Sequence, residues 1–391
     1  MSSAIEYGPL VLETEESPLR DILTQCFDFP QARWQAYLEI AGPENFRVVR
    51  RDGQVVGGLV IIFMGQWFGG RAIPMGGIAA VGVPPQHRGT GVAQSLMVRA
   101  LQELREQEIP LSALYASTQH LYRSVGYEQA GCFYLYSMPA AAFPKGDRSL
   151  PIEPVDPSKH EAFHDLYREW VAPMNGCLAR NRAIWLRAVR NDEGPVTAYR
   201  IGDPETPLGY LIYSQQSHDH GQDMRIRDWA ALTPAAFARL QTLLADHRSL
   251  VRDVIWKGPP VDPLLCAPEE QRSQLRMSER WMLRIVDVPA ALEQRGYMEC
   301  VSGELHLEIA DDVLPGNAGR FILSVSDGRG KVTRGGRGDL RCGVRGLAPL
   351  YSSMLAPHEL ARIGWLEADR ASLGIAARLF AGPQPWMPDG F

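Results

Sequence analysis

The chain has 391 residues, 45% hydrophobic and 22% charged, with a formal net charge of −5. That length exceeds the ~250 to 300 residues at which one hydrophobic core stops growing, so two or three domains are expected. The balance is that of ordinary globular protein, carries no basic footprint for nucleic acid, and contains no apolar run near the ~18 residues that a membrane span requires.

The N-terminal stretch MSSAIEYGPLVLETEESPLR has acidic residues where a secretory signal would carry a basic start and an apolar run, so a cytoplasmic protein is expected. The cysteines Cys26, Cys132, Cys177, Cys266, Cys300 and Cys342 form no CxxC pair and have no His at metal spacing. That argues against zinc and against a disulfide framework, so they read as small core residues and no metal is expected.

In chain order, FRVVRRDGQVVGGLVIIFMGQWF reads as a hairpin turning at Asp52-Gly53. A strand IAAVGV follows, then a turn containing glycines, then VAQSLMVRALQELREQ, whose Val92, Leu96, Val98, Leu101 and Leu104 fall near 3.6-residue spacing. LSALYAS reads as a buried strand, which completes a βαβ-type unit. The Pro-rich stretch 138–157 reads as a linker. Beyond it, EAFHDLYREWV is helical, VTAYRIG and LGYLIYSQ are strands, PAAFARLQTLLADHR is a helix and VRDVIWKG a strand. This repeats the earlier order without its glycine turn, as a degenerate second copy would.

A third region opens at Arg280 with RWMLRIVDVPAALEQRGY and continues through strands ELHLEIAD and GRFILSVSDG, a turn-rich patch DGRGKVTRGGRGD, and helices near 348–355 and 358–363. It reads as an α+β domain. The tail AGPQPWMPDGF has the composition of a disordered end.

The chemistry concentrates in VGVPPQHRGTGVAQSL, from Val81 to Leu96. Gly89 and Gly91 lie between a strand and a helix, where missing side chains let successive backbone N–H groups face one anion, and the helix N-terminus adds its dipole. Arg88 supplies a cation. The strand Val81-Gly82-Val83 offers main-chain groups to an extended, amide-bearing ligand. Pyrophosphate together with peptide-like amides describes coenzyme A. A P-loop would need GxxxxGK[ST] and a dinucleotide site GxGxxG, and neither is present; a bare structural turn is the competing reading.

This pattern, Gln86-His87-Arg88-Gly89-Thr90-Gly91-Val92-Ala93, resembles the pyrophosphate motif of the GNAT acetyltransferase superfamily. With ALYASTQHLYRSVGY, YREWVAPMNGCLARNRAIWL and WMLRIVDVPAALEQRGY, the whole chain resembles the Eis (enhanced intracellular survival) family of bacterial N-acetyltransferases. That resemblance implies a mixed α/β (α+β) chain of two tandem GNAT folds followed by a sterol-carrier-protein-like domain. The expected segments are a catalytic domain at 1–147, a degenerate GNAT-like domain at 148–284, and a sterol-carrier-like domain at 285–391 whose tail reaches the active site. It implies acetyl-CoA as acyl donor, with contacts from Val81, Gly82, Val83, Gly89, Thr90, Gly91, Val92, Ala93, Gln94, Ser117 and Thr118. It also implies a homo-oligomer, since relatives form hexamers as trimers of dimers.

Acetyl transfer needs a neutral amine and a proton for the leaving thiolate, and a Tyr phenol can supply the latter. LYRSVGY offers Tyr122 and Tyr127; the resemblance selects Tyr122 as general acid and leaves Tyr127 as packing. It selects the C-terminal carboxylate, here on Phe391, as base; an inert frayed end is the alternative. Some family members carry a His where this chain has Tyr115, and His87 and His120 are read as structural. In CFDFPQARW, Phe27, Asp28, Phe29 and Trp34 set an acid among aromatic faces, which suits a cationic amine, unless the aromatics only bury a helix. The resemblance implies polyamine-like acceptors, including aminoglycosides and lysine side chains. Two other functions stay open: an acyl-CoA sensor without turnover, and a lipid-binding carrier, against which the polar GRGKVTRGGRGD patch counts.

Overall fold

The computed structural model describes residues 5–190, 194–219 and 221–391. These form two compact units. The first runs to Gly131, resumes over Arg280–Pro383 and takes in Gly390–Phe391; the second comprises Cys132–Glu279 and Gln384–Asp389. The opening residues 1–4 of the N-terminal reading lie outside the described residues.

The first unit begins with β1 (Ile5–Pro9), α1 (Leu12–Phe27), α2 (Trp34–Ala41), β2 (Phe46–Arg51), β3 (Gln54–Phe68), β4 (Arg71–Gly82), α3 (Val92–Glu106), β5 (Leu111–Tyr115) and α4 (Gln119–Ser124). Strand β6 (Glu128–Pro139) passes into the second unit, which continues with β7 (Ile152–Val155), α5 (His164–Val171), β8 (Leu178–Ala179), α6 (Arg182–Val189), β9 (Val196–Gly202), β10 (Pro207–His218), β11 (Gly221–Ala231), α7 (Pro234–Asp246) and β12 (Val251–Gly258). Strand β13 (Gln274–Ile285) returns to the first unit. There follow α8 (Val288–Gln294), β14 (Gly303–Ala310), β15 (Gly319–Ser326), β16 (Arg329–Arg334), β17 (Leu340–Gly343), α9 (Val344–Ser352), α10 (Pro357–Arg362), β18 (Leu366–Ala368) and α11 (Arg370–Leu379).

In the first unit β1, β2, β3 and β4 pair antiparallel in that order, β4 pairs β5 in parallel, and β13 adds antiparallel to β5. The second unit repeats the scheme: β7, β9, β10 and β11 are antiparallel neighbours, β11 and β12 are parallel, and β6 adds antiparallel to β12. The last strand of each sheet is therefore far in sequence from the strand it pairs. The β2–β3 hairpin turns at Asp52 (φ 53°) and Gly53 (φ 75°), a pair of left-handed residues whose twist suits a two-residue hairpin. Helix α3 buries Val92, Leu96, Met97, Ala100, Leu101 and Leu104 against Val49, Leu59, Ile61 and Ile78, roughly 2 kcal/mol for each large aliphatic side chain before entropy is counted. Met97 and Ala100 face the core, and Val98, expected there, is only half-buried.

The first unit's second sheet has the order β16-β15-β14-β17-β18. Its buried face alternates along β14 (Leu305, Leu307, Ile309) and β15 (Phe321, Leu323, Val325). Beside it Arg295 is buried: it lies over the rings of Tyr297, Tyr351 and Phe380 and donates to Leu379 O at the end of α11. Helix C-termini and aromatic faces both favour a cation, which offsets its burial.

Several expectations are corrected. Strand β4 starts at Arg71, not Ile78, because a second hairpin at Gly69-Gly70 precedes it. The stretch 138–157 is not a free linker: Met138 pairs with Val254, and Met138, Ala140 and Phe143 are buried in the second unit's core, which the surrounding prolines disguise. The patch 327–339 contains β16, and the tail is ordered, with Trp386 and Met387 buried. Cys177 and Cys342 are core residues, whereas Cys266 and Cys300 are exposed. Helices α6 and α11 and strand β11 went unread; on β11 the charges of Asp223, Arg225 and Arg227 interrupt the buried Met224 and Ile226.

Candidate active site

Strands β4 and β5 pair only at Met75↔Leu111, Gly76↔Ser112 and Gly77↔Ala113. Past Gly77, β4 stays with β3 as far as Gly82, while β5 stays with β13 as far as Tyr115. The edge of β4 from Ile78 to Gly82 thus has no strand on its β5 side among the described residues. One extra residue enters β4 between the pairs Val60↔Ala79 and Gly58↔Gly82, with Ala80 at φ 50°, a bulge that re-aims the strand end. Val81 is half-buried and Val83 buried. Gly82 has a packing reason of its own, since a Cβ there would come 2.7 Å from Leu23 Cδ2.

After β4, Arg88 folds its Nε back to donate to Val83 O at 3.0 Å, and Thr90 Oγ1 donates to His87 O at 2.7 Å. Gly89 (φ 71°) and Gly91 (φ 80°) are left-handed, and a Cβ at either would meet nothing within 4 Å. Conformation, not space, demands glycine there, and the turn opens outward. Helix α3 has no side-chain cap and its first bond is Ser95 N–H to Gly91 O, so the amides of Val92, Ala93 and Gln94 are left for an external acceptor. A groove of about 420 Å³ runs on along Gly91, Gln94, Ser95, Val98, Arg99 and Gln102. Arg99 is a cation that the motif reading missed, because it lies beyond the glycines on the exposed face of α3. In the second unit, the equivalent helix α7 begins with Pro234 and is capped by Thr233 Oγ1, which accepts from Ala236 N–H at 3.2 Å. Its end is closed by its own side chain.

Tyr122 lies on α4 and is only 5% exposed. Burial raises the pKa of its phenol, and a hydrogen bond with Ser117 partly counters that. Ser117 and Thr118 are exposed at the start of α4. Tyr127, 6.1 Å away ring to ring, is fully buried. Ser112 Oγ gives its one proton to Gly76 O, so the Tyr127 phenol donates to Ser112 at 2.7 Å and is committed to structure.

The ring of Phe391 rests against Gly77, where a Cβ would fall 2.8 Å from Cε2, and its centroid lies 6.1 Å from that of Tyr115. This is the point at which β4 and β5 part. At the other expected subsite, Phe27 is 47% exposed, Asp28 caps α1 at φ 50°, and Phe29 packs on Tyr37 at 5.3 Å. Trp34 does not share an open face with them. It is 1% exposed, its indole N–H donates to Glu16, and its ring packs edge-on against Phe46, so it anchors α2 in the core.

His160-Glu161-Ala162-Phe163-His164 spells H-E-x-x-H, a zinc signature when helical. Here His160 Nδ1 and His164 Nε2 face each other at 3.0 Å and both rings stack on Trp185; no group of three candidate ligands occurs among the described residues. No described helix is long and apolar enough to cross a membrane.

Three family models match the chain: acetyltransferase (GNAT) domains over residues 10–130 and 176–285, and a sterol carrier protein domain over residues 288–388. A GCN5-related N-acetyltransferase from Anabaena variabilis, known by crystal structure, is 43% identical with a TM-score of 0.96, covering 99% of this chain and 100% of that one. The N-acetyltransferase Eis of Mycobacterium tuberculosis is 29% identical over 314 residues, 74% of this chain and 75% of the relative. Eis1 from Mycobacterium abscessus shares the fold at 24% identity and a TM-score of 0.82, over 99% and 100% of the two chains.

Proposed function

Because the chain belongs to the GCN5-related N-acetyltransferases, with the domain content of the Eis type, we propose that it acetylates primary amines of polycationic acceptors directly from acetyl-CoA. Aminoglycoside-like compounds, polyamines and lysine side chains are the acceptor classes. The observation that carries this reading is the seat of Phe391 on Gly77, where β4 and β5 part.

The open β4 edge at Val81, Gly82 and Val83 suits the amide-bearing arm of the donor, with Ser117 and Thr118, exposed after β5, as its further contacts. The amides of Gly89, Thr90, Gly91, Val92, Ala93 and Gln94 suit its pyrophosphate, with Arg88 as counter-charge. Bound there, acetyl-CoA supplies a thioester. The amine nitrogen bonds to the acetyl carbon as the C–S bond breaks. Tyr122, kept protonated by its burial, gives its proton to the leaving sulfur. The Phe391 carboxylate, ionised at neutral pH, accepts the amine's proton through water, and that proton returns through solvent to the phenolate. Phe27, Asp28 and Phe29 attract the cationic acceptor, while Trp34 holds α2 in the core. The division at 1–147, 148–284 and 285–391, a cytoplasmic location and a homo-oligomer complete the proposal.

Thiol release from acetyl-CoA with an aminoglycoside acceptor tests it in the intact chain, in Tyr122→Phe, in a chain lacking Phe391, and in one extended by a single glycine. Loss in all three variants with donor binding kept is expected. Full activity in the extended chain would remove the carboxylate from the mechanism, and no turnover in the intact chain would leave an acyl-CoA sensor.

A further inference from the structure

The helix that carries Tyr122, α4, has six residues and no side-chain cap at its start. An isolated helix needs about 12 to 15 residues to hold itself in water, so the orientation of α4 is set by what grips it. At its C-terminal end Val125 N–H and Tyr127 N–H both donate to Tyr122 O, at 3.1 and 3.0 Å, around Gly126 at φ 91°. Whatever fixes the turn 125–127 therefore fixes the backbone of Tyr122.

Two arginines far along the chain, in the same compact unit, grip this turn and the residue after it. Arg284, fully buried on β13, donates its Nε to Val125 O at 2.9 Å and its Nη2 to both oxygens of Asp311 at 2.8 Å. Its guanidinium also closes the space beside Gly126, where a Cβ would fall 2.8 Å from Cζ. Arg345, on α9, donates its Nη2 and Nε to Glu128 Oε2 at 2.6 and 3.0 Å. The Glu128 side chain is 0% exposed, and its other oxygen accepts from Arg123 Nη2 at 2.7 Å. Arg123 is the residue of α4 next to Tyr122, so Glu128 ties α4 to α9.

Successive helical residues stand roughly 100° apart around the axis, so a fixed Arg123 sets the rotation of α4 and with it the direction of the Tyr122 ring. Apolar contact is enough to hold α4 down, since Tyr122 and Val125 are already buried in the core. A carboxylate desolvated between two guanidinium groups costs free energy that apolar packing avoids, and supplies directional bonds that packing lacks. What it adds is geometry, one residue from the phenol.

We propose that Arg345 is a positioning residue for acetyl transfer: through Glu128 and Arg123 it locks the rotation of α4 and so aims the Tyr122 phenol at the sulfur that leaves. This rests on reading Tyr122 as the general acid. Arg284 assists by holding Val125 O. Helix α9 thereby acts in turnover as a brace, with no group of its own at the reacting atoms.

The test is a double-mutant cycle in the full chain, with Arg345→Met made alone and together with Tyr122→Phe, and thiol release from acetyl-CoA followed with spermidine as acceptor. Alone, Arg345→Met should lower kcat about tenfold with KM for acetyl-CoA nearly unchanged, the kind of effect that a misaimed reacting group causes. In the Tyr122→Phe chain the same substitution should change kcat little, because the proton it aims is gone. An unchanged kcat in Arg345→Met alone, or an equal loss in both backgrounds, overturns the positioning role while the acid reading stands. An unchanged kcat in Tyr122→Phe alone overturns the acid reading, and the positioning role with it. The Arg345 side chain is 44% exposed and its loss leaves Glu128 paired with Arg123, so the fold should survive. If Arg345→Met does not fold, Arg345→Lys, which keeps a cation on Glu128, runs through the same cycle, with about a threefold loss of kcat expected only where Tyr122 is present.

Discussion

Gly77 and Phe391 are complementary: the ring of the last residue occupies the space that a side chain at position 77 would fill, 2.8 Å from an added Cβ, with Met64 Cε closer still at 2.3 Å. Gly77→Ala must therefore displace the ring or the methionine. In thiol-release assays kcat is expected to fall about ten- to a hundredfold with acetyl-CoA binding kept. Unchanged kcat would show that the seat of the ring does not matter to turnover.

Tyr122→Phe removes only a hydroxyl from a buried ring, so folding should survive while kcat drops by about a hundredfold or more. Because burial raises the phenol's pKa, the acid keeps its proton through the ordinary Tyr value of about 10. The alkaline limb of kcat belonging to this group is expected above that value. Ser117→Ala, which deletes the bond that lowers the pKa, should move the limb higher still.

Gly91 is held at φ 80°, which costs an alanine roughly 1–2 kcal/mol. Gly91→Ala should weaken coenzyme A binding by about tenfold, measured calorimetrically. Turnover of acetyl-pantetheine, which lacks the pyrophosphate, should be nearly unaffected. Equal loss with both donors would place the defect outside the pyrophosphate turn.

Of the two equivalent helices α3 leaves its first amides open and α7 is capped, so titration should find one acetyl-CoA per chain. Thr233→Ala, which uncaps α7, should lower stability by roughly 1 kcal/mol in denaturant unfolding and leave acetylation unchanged. A second binding event would show that the central copy is functional.

Glu128 is buried, which raises its carboxyl's pKa, but bonds from Arg123 at 2.7 Å and Arg345 at 2.6 Å outweigh burial and bring it below the usual carboxylate value. Its contribution to stability is present above about pH 4.3, the unfolded value, and is lost as pH falls through the lower folded value. Thermal melting between pH 6 and 3 should show this loss in the intact chain. A smaller acid-induced drop is expected in Glu128→Gln.

Local pattern was enough for the elements that local physics makes. The Asp52-Gly53 hairpin, the strands Val196–Gly202 and Val251–Gly258, and the glycine turn before α3 each follow from turn chemistry or periodicity within a few residues. The absence of that turn before α7 was equally legible. What lay outside the reach of sequence depends on partners far along the chain. The sixth strand of each sheet is taken from beyond the segment that built the other five, β13 beside β5 and β6 beside β12, because a strand edge accepts any backbone of suitable register. Trp34 looked like a ligand face until Phe46 covered it. Phe391 reached Gly77, and Asp389 reached Arg180 across 209 positions, through fits of shape and charge that leave no period in the sequence. The sequence alone determined the kind of fold and the cofactor-type turn; tertiary packing decided which residues surround it, since burial and pairing are properties of neighbours in space.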